Sequence, residues 1–148
     1  MTYRGLHDIQ IGEIYESEVL TVTKQDIITF AQNYDPQVMH LDENAAQETI
    51  FKTLVASGWH ILSLSMRLVV RSKPFGETPL VGVAVDDIRF RKKVLPDTQI
   101  YCKATIVEVT KIDHKNYGHV TLSVETFDKI SHMLLLSQKW TLLVPEKK

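Results

Sequence analysis

The 148-residue chain predicts an α+β fold in one domain, residues 1–148, with an antiparallel sheet wrapped around a single central buried helix. Two observations carry this expectation. From Ser57 to about Arg71, the residues Trp59, Ile61, Leu62, Leu64, Met66, Leu68 and Val69 make a helical segment apolar on most of its circumference, and such a helix is usually buried inside its domain. Beyond Pro79 the pattern alternates instead: in HVTLSVETF, Val120, Leu122 and Val124 face one way and Thr121, Ser123 and Glu125 the other. A sheet with one apolar face packs against such a helix.

In chain order, GEIYESEVLTV (Gly12 to Val22) is rich in β-branched and aromatic residues and reads as a first strand. Thr23 begins a helix, with Asp26 three residues on in a capping-box-like arrangement and an apolar stripe of Ile27, Ile28, Phe30 and Ala31. Asp35-Pro36 ends it, because the residue before proline is pushed out of the α region. Asp42 caps a second short helix, Glu43 to Glu48. The long helix follows, then the turn-rich SKPFGETP. Four strand-like runs complete the chain as a meander: LVGVAVDDIRFRKKV, TQIYCKATIVEVTKI, GHVTLSVETF and MLLLSQKWTLLV, with DHKNYG as a hairpin connection.

Composition narrows the function classes. Lys+Arg at 17 against Asp+Glu at 18 gives a net charge of -1, which recommends neither a nucleic-acid nor a membrane partner. An anionic ligand would have to meet a local basic cluster. The single cysteine, Cys102, excludes an intrachain disulfide framework and fits a reducing compartment; its place in a strand-like run marks it as a small core residue. The N-terminal segment has no apolar secretory run, and Trp59 to Val70 is too short and too interrupted to span a bilayer, so a cytoplasmic protein is expected. His114 and His119 lack the spacing of a zinc site, and no metal is expected.

The segment richest in chemistry is Tyr34 to Trp59, where Asp35 and His40 stand five residues apart around Pro36 and Gly58 follows. Taken alone, Asp35 before proline is a turn former, His40 a loop histidine and Gly58 a helix-start glycine. Together they carry a resemblance. Asp35-Pro36-Gln37-Val38-Met39-His40-Leu41-Asp42 resembles the signature of the MaoC-like dehydratases, which include the (R)-specific enoyl-CoA hydratases of the hotdog superfamily. Phe51-Lys52-Thr53-Leu54-Val55-Ala56-Ser57-Gly58-Trp59-His60 resembles the family's next segment. Val38 and Lys93 stand where proline is usual, and Lys52 where glycine is usual.

The resemblance implies a hotdog domain that hydrates a trans-2-enoyl thioester reversibly, on coenzyme A or an acyl carrier, as a homodimer or a multiple of dimers. Coenzyme A would enter only as part of the substrate, with no cofactor. Asp35 and His40 would hold the water and share the acid/base work, and the Gly58 N–H would polarise the thioester carbonyl. Val38, Ser57, Trp59 and Met66 are the candidate acyl-pocket residues. Arg89 and Arg91, from the basic run RFRKK, are candidates for the carrier phosphates; the same run also reads as a solvated or charge-protected strand. Asp42 is assigned to capping. Two alternatives stand beside the hydratase: an acyl-thioesterase on the same fold, and a non-catalytic acyl-thioester binding or assembly protein.

Overall fold

The computed structural model describes residues 2–147. The predicted first strand is split in two, β1 (Ile14–Glu16) and β2 (Leu20–Val22), both antiparallel to β4 (Thr98–Lys111). Ser17 causes the break. Its hydroxyl accepts from Cys102 N at 2.8 Å while its own N–H donates to Cys102 O at 2.9 Å, so a side chain replaces the backbone carbonyl and the ladder lapses.

Helix α1 (Lys24–Tyr34) starts as predicted, with the Thr23 side chain accepting from Asp26 N. It stops at Asp35, where φ −153° and ψ 70° leave the helical region ahead of Pro36. A one-turn helix, α2 (Val38–Leu41), follows unannounced by the sequence, since four residues show no period. Asp42 then accepts from Asn44 N and Ala45 N, and the predicted second helix shrinks to a 3-10 turn, Ala45–Glu48. Helix α3 (Gly58–Ser72) begins on the Ser57 cap and closes on Lys73 in the left-handed region.

The remaining strands are β3 (Val81–Phe90), β5 (Tyr117–Asp128) and β6 (Leu134–Pro145), and the sheet order is β1-β4-β5-β6-β3, with β2 also on β4. The expected meander therefore holds for β4-β5-β6, but β3 does not lie beside β4. It pairs with β6, from Val81↔Leu143 to Phe90↔Leu136. β1 and β2 already occupy the free edge of β4, and the far edge of the sheet is what remains.

The core lies between α3 and the concave face of the sheet. Ile61, Leu64, Leu68 and Val69 pack on Ile100, Ala104 and Ile106 of β4, Val120, Leu122 and Val124 of β5, and Leu136, Trp140 and Leu142 of β6, all buried. The expectation that α3 is buried all round is corrected, because the sheet covers one side only. Trp59, Met66 and Val70 form an exposed apolar stripe along the other. Among the described residues no helix is long and apolar enough to cross a membrane.

Candidate active site

Asp35 sits at the end of α1 and His40 in α2, and the short reversal between them turns the two side chains face to face. Gln37 N bonds Asp35 O at 2.7 Å and His40 N bonds Gln37 O at 2.9 Å, which fixes the reversal. Asp35 Oδ2 lies 3.3 Å from His40 Nε2. The other ring nitrogen, Nδ1, is 2.7 Å from Val55 O. A carbonyl can only accept, so Nδ1 carries the proton and the Nε2 side is presented to Asp35.

Asp35 is held as a carboxylate. Ser57 Oγ donates to Oδ2 at 2.7 Å and Gln37 Nε2 to Oδ1 at 2.7 Å. The Ser57 hydrogen bond is the main reason its carboxyl lies below the usual range, outweighing partial desolvation, with Gln37 and the field of His40 adding to it. A carboxylate oxygen and a neutral imidazole Nε2 are both acceptors. Facing each other at 3.3 Å, they require a proton on the ring or a small protic molecule across the pair. Such a pair can hold a water and exchange a proton with it.

Ser57 links this pair to α3. Its hydroxyl accepts from Trp59 N at 3.2 Å as the helix cap and donates a hydrogen bond to Asp35 Oδ2. Gly58, first residue of α3, has no acceptor for its N–H within the helix and stands at the positive end of the helix dipole. Asp35, His40 and Gly58 all line a cavity of about 520 Å³, with Met39, Phe51 and Ile61 supplying apolar wall and Arg91, Lys92 and Lys93 supplying charge.

Of the other predicted site residues, Trp59 and Arg91 line this cavity. Ser57 is fully buried and reaches Asp35 rather than open space. Val38, Met66 and Arg89 are not brought into it: Val38 opens α2 half-exposed, Met66 is two turns along the exposed stripe of α3, and Arg89 pairs with Asp87 at 2.9 Å. Sequence reasoning did not assign Gln37 or Phe90 to the site, although Gln37 stands inside the signature and Ile88-Arg89-Phe90 resembles a later strand of the same family; both line the cavity. Cys102 is buried in the core, where burial pushes its thiol up. Among the described residues no group of three or more His, Cys, Asp and Glu side chains could hold a metal ion.

The model of the MaoC-like domain family matches residues 8–128, a span that includes α1, the Asp35–His40 pair and α3. The chain belongs to this family. A curated relative, the uncharacterized protein YdeM of Bacillus subtilis, is 32% identical over 126 residues, covering 84% of this chain and 87% of its own. The fold of the MaoC-like domain is similar to that of a MaoC-like dehydratase from Rhodospirillum rubrum, at 24% identity and a TM-score of 0.88 over 97% of this chain and 98% of that one. It is also similar to the R-hydratase PhaJ1 of Pseudomonas aeruginosa, at 20% identity and a TM-score of 0.77 over 98% and 88% of the two chains. These likenesses identify the fold as the hotdog.

Proposed function

We propose that this MaoC-like domain is a hydro-lyase that adds water reversibly to a trans-2-enoyl thioester, carried by coenzyme A or an acyl carrier protein, to give an (R)-3-hydroxyacyl thioester. The observation that carries the reading is the Asp35 Oδ2–His40 Nε2 contact of 3.3 Å in the wall of a cavity that also reaches the start of α3. The R configuration rests on likeness to the (R)-hydratase.

The reaction balances without a cofactor. A water lying across Asp35 and His40 gives a proton to one of the pair as its oxygen bonds to the β-carbon. The other, entering the cycle with a proton, delivers it to the α-carbon, and the proton taken from water then crosses between the two to restore the pair. Negative charge builds meanwhile on the thioester oxygen, and the position of Gly58 N–H at the start of α3 supports reading it as the donor that meets this charge.

The same reading makes the working unit a homodimer or a multiple of dimers. It is supported by edge strand β3, where Val81, Val83 and Val85 stand exposed, and by the exposed Trp59–Met66–Val70 stripe, since uncovered apolar surface beside a free strand edge marks an interface. The free, buried Cys102 suits work in the reducing cytoplasm.

The test follows the loss of conjugated thioester absorbance with trans-2-enoyl-CoA substrates of graded length. Asp35→Asn and His40→Ala are each expected to lose ~10²–10⁴-fold in rate. A folded wild-type protein that binds acyl-CoA yet removes no conjugation is not a hydratase, and release of free thiol in its place identifies thioester hydrolysis.

A further inference from the structure

Gly58 has a neighbour that the chemistry above leaves unused. A Cβ built on Gly58 would stand 2.4 Å from Phe90 Cε1, 2.8 Å from Cδ1 and 2.9 Å from Cζ. The space freed by the missing side chain is therefore filled by the Phe90 ring. Phe90 ends β3, and just beyond it Arg91 N and Lys92 N both donate to Leu135 O, at 2.8 and 3.2 Å, so the strand is pinned where it leaves the sheet.

Core packing does not account for this placement. Phe90 is 59% exposed in the single chain and lies outside its core, so burial within the chain contributes little to holding it there. It does line the cavity that holds Asp35, His40 and Gly58. In the chain it directly precedes Arg91, Lys92 and Lys93, which line the same cavity and form no ion pair among the described residues. Phe90 thus joins Gly58, against which its ring lies, to the cations that follow it in the chain.

We propose that Phe90 is a positioning residue for the acyl thioester: its ring closes the cavity over the first turn of α3 and holds the thioester carbonyl toward the Gly58 N–H. The proposal rests on the thioester reading of this site. It also gives a reason for glycine at position 58, because a Cβ there meets the Phe90 ring.

The experiment compares wild type, Phe90→Ala, Phe90→Leu, Gly58→Ala and the Gly58→Ala/Phe90→Ala double variant. Three quantities are read: melting temperature, kcat and KM on trans-2-butenoyl-CoA, and calorimetric Kd for butanoyl-CoA and for free coenzyme A. Phe90→Ala is expected to melt near wild type, to lose about tenfold or more in kcat, and to bind free coenzyme A unchanged while losing the preference for butanoyl-CoA. Phe90→Leu recovers most of the loss. Gly58→Ala melts lower than wild type, and removing the ring in the double variant restores it.

Wild-type kcat together with an intact preference for butanoyl-CoA in Phe90→Ala overturns the proposal. So does a double variant that melts as low as Gly58→Ala alone. Should the wild type hydrate no enoyl-CoA, the reaction assigned above fails by itself. The comparison of butanoyl-CoA with coenzyme A then decides Phe90 alone: a wild-type preference lost in Phe90→Ala supports the role, and its retention, or its absence from the wild type, overturns it.

Discussion

Replacing Ser57 by alanine perturbs the fold and the site through two separate hydrogen bonds. The hydroxyl accepts from Trp59 N at 3.2 Å and donates to Asp35 Oδ2 at 2.7 Å, and Ser57 is fully buried. Losing the cap costs about 1 kcal/mol. Losing a hydrogen bond to a charged group costs roughly 1.5–3 kcal/mol, and the low end applies because the Asp35 side chain is 17% exposed and keeps Gln37 as a donor. The sum, about 2–3 kcal/mol, lowers the melting temperature by roughly 5–10 °C in a chain of this size. The second effect is on titration. Ser57 is the main cause of Asp35's depressed carboxyl, so in the variant that carboxyl rises. A depressed carboxylate contributes stability above its unfolded pKa that is lost as pH falls through the folded one. In Ser57→Ala this contribution shrinks and is lost at higher pH, and the acid limb of the hydration rate moves up with it. Thermal melts and pH–rate profiles of wild type, Ser57→Ala and Ser57→Thr read both effects, with threonine keeping the wild-type limb. An acid limb that stays put in Ser57→Ala while the melt falls would reduce Ser57 to a helix cap and refute its control of Asp35.

Three further outcomes are expected. Glu13 bonds Arg4 at 2.8 Å and accepts from Tyr15 and from Gln10 N, which, Arg4 foremost, lowers its carboxyl to about 2. The stability this contributes is present above the unfolded value and lost between about pH 4.5 and pH 2, up to roughly 3 kcal/mol before solvent screening; urea midpoints across that window should fall in the wild type and much less in Glu13→Gln, and parallel curves would remove the linkage. Lys52 is held at φ 60°, a left-handed conformation that costs a side-chain-bearing residue ~1–2 kcal/mol, so Lys52→Gly, after its own entropy cost, should stabilise by about 0.5 kcal/mol in denaturant titrations. Val83→Glu on the open edge strand should convert the proposed dimer to a folded monomer by light scattering; a wild type that is already monomeric contradicts the β3 interface.

Much of the site was legible because its signals are local. The Asp35–His40 spacing, the helix stop at Pro36 and the Ser57 start of α3 are all short-range features, and the structure places them as read. The illegible parts depend on pairing across the chain. Four strand runs in a row suggest neighbours in order, but β3 goes to β6 because β1 and β2 hold the edge of β4, an arrangement fastened by Ser17 on Cys102. Periodicity showed that α3 is apolar on most faces but not which face the sheet covers, so Met66 was read toward the pocket and lies on the open stripe. Phe90 falls at a strand end, where alternation no longer says which way a side chain points.

Position 57 shows where helix capping and chemistry part. Aspartate, asparagine and serine cap helices about equally well, so capping alone does not choose among them. The second bond does. Ser57 must accept from Trp59 N and also donate a hydrogen bond to Asp35 Oδ2. An ionised aspartate has no proton to give, and it would set a second carboxylate against Asp35, raising the carboxyl that Ser57 now lowers. Asparagine can accept and donate, but its planar amide directs the two functions from different atoms, whereas in serine one oxygen serves both. The hydroxyl is therefore the one group among the good caps that starts the helix and keeps Asp35 charged beside His40, and the two jobs converge on one atom because Asp35 and the first turn of α3 meet there.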